Sequence, residues 1–448
     1  MQLKQALSLL FILSNRSPNV SCSEVPASNT SHSDIALGEY PSSPTSECNP
    51  QVHIFMNPGS GGRKGAAILK KGISGIEFAV GGANVGVHVW DLSESESGQK
   101  RGFRQIENYI ANSKCVDERS PVRVIAAGGD GTIMWVVSEA LEHGINLNLI
   151  VIGTMPLGTA NDFSNTYGWG VASSRHLFKH GLEGFKRLVR QWMLAGFALH
   201  DVWDVTVRVD ATQGRLLQRK GKRMMRYRPD GNGVVLKKKM GNYFSFGAES
   251  QVGFEFDGYR TKSRILNKAV YVWQGIKGEF KKQVALIDIL DKCMDGDKVL
   301  FSTRSEVSRL IGNPKSIIIL NINSFAAGSD LWSMSDKAGV GCMNNLDPFQ
   351  SQDAGDHKVE VVSYESLAGL ASDRVSNTFV SGNGRRIGQA AGPLQFIFRK
   401  QTKTTKLHLQ VDGEFYAAEE PSSIEVSHNS TIRVLVKNRR AGSETISY

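Results

Sequence analysis

The chain has 448 residues, room for two or three domains of about 150 residues each, so a single small module is excluded. It is 40% hydrophobic, 21% charged and 8% aromatic, an ordinary globular composition somewhat rich in glycine, with a formal net charge of +10. Cys22, Cys48, Cys115, Cys293 and Cys342 form no C-x-x-C pair, which argues against a zinc module, an iron–sulfur site or a dense disulfide framework, so any metal is expected on oxygen ligands.

Residues 1–50 are Ser- and Pro-rich without periodicity and are expected to be a disordered leader. Inside them Lys4 precedes the apolar stretch Ala6 to Leu13, and small residues follow at Val20 to Ser23, the layout of a short secretory signal. Asn15, Asn19 and Asn29 each open an N-x-[ST] triplet. A cleaved signal and an unstructured cytosolic leader both remain open. No apolar run approaches the about 18 residues that cross a bilayer, so a soluble or peripheral protein is expected.

From Gln51 to about His200 the pattern is strand, glycine loop, helix, repeated. Val52 to Met56 leads into Asn57-Pro58-Gly59-Ser60-Gly61-Gly62 and a helix from Arg63 to Lys71. Val122 to Ala127 leads into Gly128-Gly129-Asp130-Gly131-Thr132 and a helix to about Glu142. Leu149 to Ile152 leads into the loop Thr154 to Asp162 and a helix near Asn161 to Tyr167. Continuous apolar strands alternating with helices predict a parallel sheet covered on both faces. Beyond Asp201 alternating strands follow at Val202 to Val209, Ile317 to Ile322, Val359 to Ser363, Leu394 to Phe398, Lys406 to Val411 and Thr431 to Val436. They predict a second, mainly antiparallel domain, with helix near Ser263 to Lys277. Between Arg215 and Lys239 ten basic residues face one acid, Asp230. This segment reads as a flexible basic loop for an anionic partner, and Met224, Met225 and Tyr227 among the charges favour a lipid surface over nucleic acid.

Three glycine loops at the carboxyl edge of one sheet are a place to bind phosphate, because glycine amides and helix N-termini can surround phosphoryl oxygens. A strand-to-helix turn also needs small residues, so each loop alone says little. The first loop matches neither G-x-G-x-x-G nor G-x-x-x-x-G-K-[ST], which disfavours a simple dinucleotide dehydrogenase or a P-loop enzyme. Asp130 and Asp162 suit magnesium, which takes one or two carboxylates plus substrate phosphates; a first-turn helix acid is the other reading of Asp162.

NPGSGG (57–62), GGDGT (128–132) and PLGTAND (156–162), in that order, resemble the catalytic domain of diacylglycerol kinases and related lipid kinases. NAD kinase and phosphofructokinase share a GGDG-type loop, but NYFSFG (242–247), SRILNK (263–268), INSFAAGSDLW (322–332), RRIGQA (385–390) and QVDGE (410–414) resemble the accessory domain of eukaryotic-type diacylglycerol kinases. The resemblance implies an α/β fold, a Rossmann-like nucleotide-binding domain over 51–200 and a mainly antiparallel β accessory domain over 201–448. It implies a peripheral membrane kinase, cytoplasmic unless the N-terminal signal operates, using ATP and Mg2+ to phosphorylate diacylglycerol. A sphingosine or ceramide kinase, or an inactive relative that binds anionic lipid, is the alternative. Asn57, Gly59, Gly61, Gly62, Gly128, Gly129, Gly131, Thr132, Pro156, Gly158, Thr159 and Asn161 would position the nucleotide. Asp130 would serve catalysis and metal, with Asp162, Asp201 and Asp412 as further metal-binding acids, and Glu414 would be the general base. Many relatives carry glycine where this chain has Ala160, which would be strained if that position needed positive φ. Cysteine-rich lipid-sensing domains and an EF-hand switch find no support in the sequence.

Overall fold

The computed structural model describes residues 49–96, 99–158, 160–173, 177–178, 182–228, 233–257, 284–306, 308–326, 328–335, 337–341, 349–375, 382–402 and 404–437. The leader, the segment 263–277, Thr159, Cys22, Cys48 and Cys342 lie outside them. The first part alternates β1 (Gln51–Met56), α1 (Ser60–Leu69), β2 (Ile76–Val80), β3 (Ala83–Asp91), α2 (Arg101–Asn112), β4 (Val122–Gly128), α3 (Asp130–Glu142), β5 (Ile150–Pro156), α4 (Asp162–Thr166) and α5 (Glu183–Met193). Then come β6 (Gly196–Val209), β7 (Arg215–Lys220), β8 (Arg223–Arg226), β9 (Val235–Met240), β10 (Tyr243–Gly247), α6 (Ala248–Asp257), α7 (Leu286–Ile289), β11 (Leu290–Asp295) and β12 (Lys298–Ser302). The chain continues through β13 (Ser316–Leu320), α8 (Leu331–Met334), β14 (Lys337–Ala338), β15 (Val359–Tyr364), α9 (Leu367–Val375) and β16 (Arg385–Ala390). It finishes with β17 (Leu394–Phe398), β18 (Lys406–Val411), β19 (Glu414–Glu419) and β20 (Pro421–Val436).

The apolar runs behave as their composition requires. Every residue of β4 and β5 is buried, and β5, β4, β1 and β3 lie side by side in parallel. Strands buried on both faces need helices above and below, which the intervening helices supply. The edge strand β2 runs antiparallel to β3. On the other side β20 returns from the end of the chain to pair in parallel with β5, Val434 opposite Ile152.

The long strands β6 and β20 pair along their length and carry the junction between the two halves. Ala198, Val202, Ile432, Val434 and Leu435 pack in the first core, whereas Trp203, Val205, Val207, Ile424 and Val426 pack in the second. The division expected at residue 200 therefore falls inside a strand. Around the second core a further sheet of order β14-β16-β15-β13-β10-β18-β19-β7-β8 is antiparallel except at β14/β16.

The basic segment differs from its sequence reading. Described on either side of residue 230, it is three strands rather than a flexible loop, because Leu216, Leu236 and Met240 are buried and anchor β7 and β9 while the charges face out.

Candidate active site

The strands β1, β4 and β5 are neighbours, so the loops that follow them share one edge of the sheet. Main-chain bonds tie the loops together: Asn57 N–H donates to Ala127 O (3.0 Å), and the N–H groups of Leu157 and Gly158 donate to Gly128 O (2.8 and 3.2 Å). Side chains repeat the link, since Asn57 Nδ2 donates to Thr132 Oγ1 (3.1 Å) and Asn57 Oδ1 accepts from Gly59 N–H (3.0 Å). Asn57 and the buried Thr132 thus hold two loops together. Two loop glycines are required by contact with the main chain of a neighbouring loop. Gly61 has φ of 61°, and a Cβ there would lie 2.4 Å from Leu157 O; a Cβ on Gly158 would lie 2.6 Å from Gly129 Cα. Gly59 and Gly129 precede α1 and α3 without a side-chain cap, so both helix starts present main-chain donors at this edge, beside Gly62, Gly128 and Gly131. Pro156 ends β5 opposite Gly128.

Asn161, at φ 55°, turns the third loop, and its Nδ2 donates to Gly158 O (3.1 Å) and Val171 O (2.6 Å). Among the described residues its buried Oδ1 has no partner. Ala160 does not have positive φ, so the residue that takes the left-handed turn is Asn161, a type that tolerates it, and the alanine is unstrained.

Three of the predicted acids gather where the loops meet the accessory half. Asp130 Oδ1 accepts from Phe163 N–H (3.0 Å) and Oδ2 from Asp162 N–H (3.2 Å), closing the start of α4 from outside. Burial raises its pKa above the ordinary carboxylate value, against the lowering effect of hydrogen bonds that include one from the Asn242 side chain. Asp162 is fully buried, and its Oδ1 accepts from Ser324 Oγ (2.7 Å) and Gly328 N–H (3.1 Å), its Oδ2 from Tyr243 Oη (3.2 Å). It is therefore a first-turn acid whose oxygens fasten the two halves together. Asp412 accepts from the N–H groups of Gly241 (2.7 Å), Asn242 (2.9 Å) and Tyr243 (2.9 Å). Burial outweighs these three amides and, with the charge of Asp130 adding to it, pushes Asp412 up to about 7. Burial, followed by the charges of Asp162, Asp130 and Asp412, holds the Tyr243 hydroxyl well above its usual pKa, so it stays a donor.

Asp201 does not join this cluster. Successive strand side chains point to opposite faces. His200, its neighbour on β6, faces the cleft side, bonded to Tyr167 Oη through Nδ1 (2.7 Å), and burial lowers its pKa to about 4. Asp201 faces the other way and bonds with His357 N–H, His428 and Thr431. The expected metal role of Asp201 beside Asp130 is corrected accordingly.

Glu414 stands one turn from Asp412. Asp412 and Gly413 both have positive φ (46° and 81°), the two-residue hairpin conformation that Asp-Gly favours. The turn sends Asp412 inward and leaves Glu414 exposed, where its Oε2 pairs with Lys238 Nζ (2.9 Å) and accepts from Tyr416 Oη (2.5 Å). The sequence does not mark Asn242, Tyr243, Ser324, Gly328, Lys238 and Tyr416 as site residues. The first four lie in the segments NYFSFG and INSFAAGSDLW, so the signal was present as motif but not as role.

Fold and site together define a two-lobed α/β protein with a glycine-loop edge closed by an accessory sheet. Residues 51–188 match the diacylglycerol kinase catalytic domain and residues 239–415 the diacylglycerol kinase accessory domain. The chain belongs to the diacylglycerol kinase family. It is 25% identical over 417 residues to "Probable diacylglycerol kinase 3" of Caenorhabditis elegans, covering 88% of this chain and 44% of that one. It is 27% identical over 308 residues to "Diacylglycerol kinase 4" of Arabidopsis thaliana, covering 62% and 60%. With "Diacylglycerol kinase 1" of Oryza sativa subsp. japonica it shares 25% over 446 residues, covering 90% and 84%. The chain thus spans under half of the worm relative and three fifths of the Arabidopsis one. A solved diacylglycerol kinase structure from Bacillus anthracis str. Sterne aligns at 12% identity over 89% of this chain and 100% of its own, with a TM-score of 0.41, too loose to carry an argument.

Proposed function

We propose that the protein transfers the γ-phosphate of ATP to the hydroxyl of diacylglycerol, making phosphatidic acid. The observation that carries this is the joining of three glycine loops at one sheet edge, where Asp130 of the second holds the main chain that follows the third and Asp162 binds that edge to Ser324, Gly328 and Tyr243 of the accessory half. Loop amides bind the triphosphate. Phosphoryl transfer is mostly positioning and charge neutralisation, so amides, a cation and one proton acceptor suffice. Asp130 fits magnesium by donor type, a carboxylate beside the loop amides; its oxygens already take the N–H groups of Phe163, Asp162 and Asp130 and the Asn242 side chain, so the ion would replace one of these donors or be held through its water. Bound there, the ion would neutralise phosphoryl charge. Asp162 and Asp412 shape the cluster by fastening the segments around it.

In the reaction the lipid hydroxyl oxygen bonds to the γ-phosphorus as the bond to the ADP oxygen breaks, and Glu414 accepts the hydroxyl proton. Its exposed place at the start of β19 lets a lipid headgroup reach it. The same strand pairs with β7, Tyr416 opposite Gln218, and β7 pairs with β8. The β7–β8 hairpin carries Arg223 and Arg226 with Met224 (53% exposed) and Met225 (41% exposed). A basic rim around exposed methionines is suited to an anionic lipid surface, at about 1 kcal/mol per basic residue near it. Docked there, the hairpin would bring Glu414 toward the membrane that holds the substrate. Among the described residues no helix is long and apolar enough to cross a membrane.

The layout of the leader, Lys4 before the apolar stretch Ala6 to Leu13 and small residues after it, supports a secretory route as the second reading of where the protein works. Sequencing the mature N-terminus tests it: a start beyond the leader's small residues agrees, and an intact Met1 opposes.

The reaction is tested by incubating the purified protein with labelled ATP, magnesium and a panel of lipid alcohols. Label entering phosphatidic acid agrees with the reading; label confined to sphingosine or ceramide products, or none at all, overturns it. Liposome binding should weaken with salt and with charge reversal of Arg223 and Arg226, and binding insensitive to both would remove the hairpin from this role.

A further inference from the structure

Outside the loop edge a second group of chemically active side chains converges on the opposite face of β6. Asp201, His357 and His428 each offer one atom, and the three lie within 4.8 Å of one another. His428 Nε2 is 3.0 Å and His357 Nε2 3.7 Å from Asp201 Oδ1. Donors about 3.4 Å apart are what a tetrahedral ion with bonds of about 2.1 Å requires, so these separations bracket the needed spacing. We propose that Asp201, His357 and His428 bind a divalent transition-metal ion of the zinc class, a site separate from the Asp130 cluster.

The placement follows from the fold. Asp201 on β6 sits opposite Thr431 on β20, and a register shift between His428 and Ser430 leaves His428 on the same face. His357 arrives from the segment leading into β15, and that segment is fixed to Asp201 twice: Asp201 N–H donates to Ala354 O (2.6 Å), and His357 N–H donates to Asp201 Oδ2 (2.7 Å). The two imidazoles stack with centroids 4.6 Å apart, and both turn Nε2 toward the carboxylate. Thr431 Oγ1 donates to Asp201 Oδ1 (2.6 Å) and stands 3.2 Å from each Nε2. That hydroxyl has one proton, used on the carboxylate, which matches the hydrogen bond that ligating carboxylates receive from a supporting residue.

The chemistry selects the ion. Two imidazole nitrogens suit zinc and its neighbours, whereas magnesium takes oxygen and calcium six to eight oxygens. Asp201 is fully buried and His357 is 60% exposed, so an ion would enter from solvent on the histidine side, with the fourth position open to water. The expectation that any metal in this chain rests on oxygen alone is then replaced by a mixed donor set. The ion would staple β6 and β20, which carry the junction of the two cores, to the chain entering β15 in the other sheet.

The test uses the full chain stripped with chelator and titrated calorimetrically with zinc chloride or magnesium chloride alone. One zinc per chain is expected, with no magnesium uptake that depends on the histidines. His357→Ala and His428→Ala should each weaken zinc by at least the about 10- to 100-fold that even a supporting residue is worth. Cobalt substitution should give visible ligand-field bands in the wild type and not in the variants. Zinc should raise the unfolding midpoint of the wild type but not of His357→Ala, whose exposed side chain makes it the variant least liable to misfold. Absence of stoichiometric zinc in the wild type, or zinc bound equally well by both variants, overturns the proposal.

Discussion

The glycine-loop edge and the β18–β19 hairpin approach each other across Asn242 and Tyr243 and use opposite means. The loop edge offers main-chain amides with side chains kept small, whereas the hairpin places two carboxylates two residues apart in contrasting surroundings. Asp412 is half-buried and held by three amides; Glu414 is exposed and paired with Lys238. Residue type therefore says little about role here: one turn makes one acid a fastening and leaves the other able to meet a substrate.

That contrast can be broken most sharply by Glu414→Gln. Turnover should fall about 10²- to 10⁴-fold while ATP binding measured by calorimetry stays close to wild type. Unchanged turnover would remove Glu414 as the proton acceptor. Asp162→Ala acts on the fastening side: it strips the partner from the buried Ser324 and Tyr243 hydroxyls, and unsatisfied buried donors cost about 1–3 kcal/mol each. Chemical denaturation should show that loss, and a wild-type midpoint would sink the claim that Asp162 joins the halves.

Asp412 gives a pH signature of its own. Its pKa is about 7 in the folded chain against an ordinary value of 3.8. A raised acid binds its proton more tightly when folded, so its contribution to stability is present in full below about pH 4 and is lost as pH rises through about 7. In Asp412→Asn the fall in unfolding midpoint over that window should shrink, and an unaltered slope would contradict the assignment. The smallest effect belongs to Ala160→Gly, because the alanine has no positive φ to relieve. Activity should be unchanged and stability lower by about 0.4–1 kcal/mol through the freer unfolded chain; a clear gain in stability would mean strain at Ala160 after all.

Much of the first lobe was legible because its signals are local. Apolar runs such as Val122 to Ala127 followed by glycine identify strand and loop without tertiary information, and adjacency in a parallel sheet brings the loops together. Edge strand β2, with only one of its five residues buried, lacked the run that marked β4. In the segment 215–239 charge density hides the strands, because the burial of Leu216, Leu236 and Met240 appears only once β19 and β6 lie alongside. Asp201 was misplaced for a related reason. Its face depends on strand parity against β20, more than two hundred residues away, and His357 and His428 bear no sequence spacing that would announce them as neighbours.

The central claim is that one cleft holds a triphosphate on loop amides beside Asp130 while Glu414 meets the lipid hydroxyl from the other lobe. A crystal structure with a non-hydrolysable ATP analogue, magnesium and a short-chain diacylglycerol tests it most directly. The account predicts phosphate oxygens on the main-chain N–H groups following β1, β4 and β5, the ion or its water on Asp130, and Glu414 within hydrogen-bond reach of the acceptor hydroxyl. A triphosphate bound away from those loops, or an acceptor hydroxyl facing a residue other than Glu414, would contradict it.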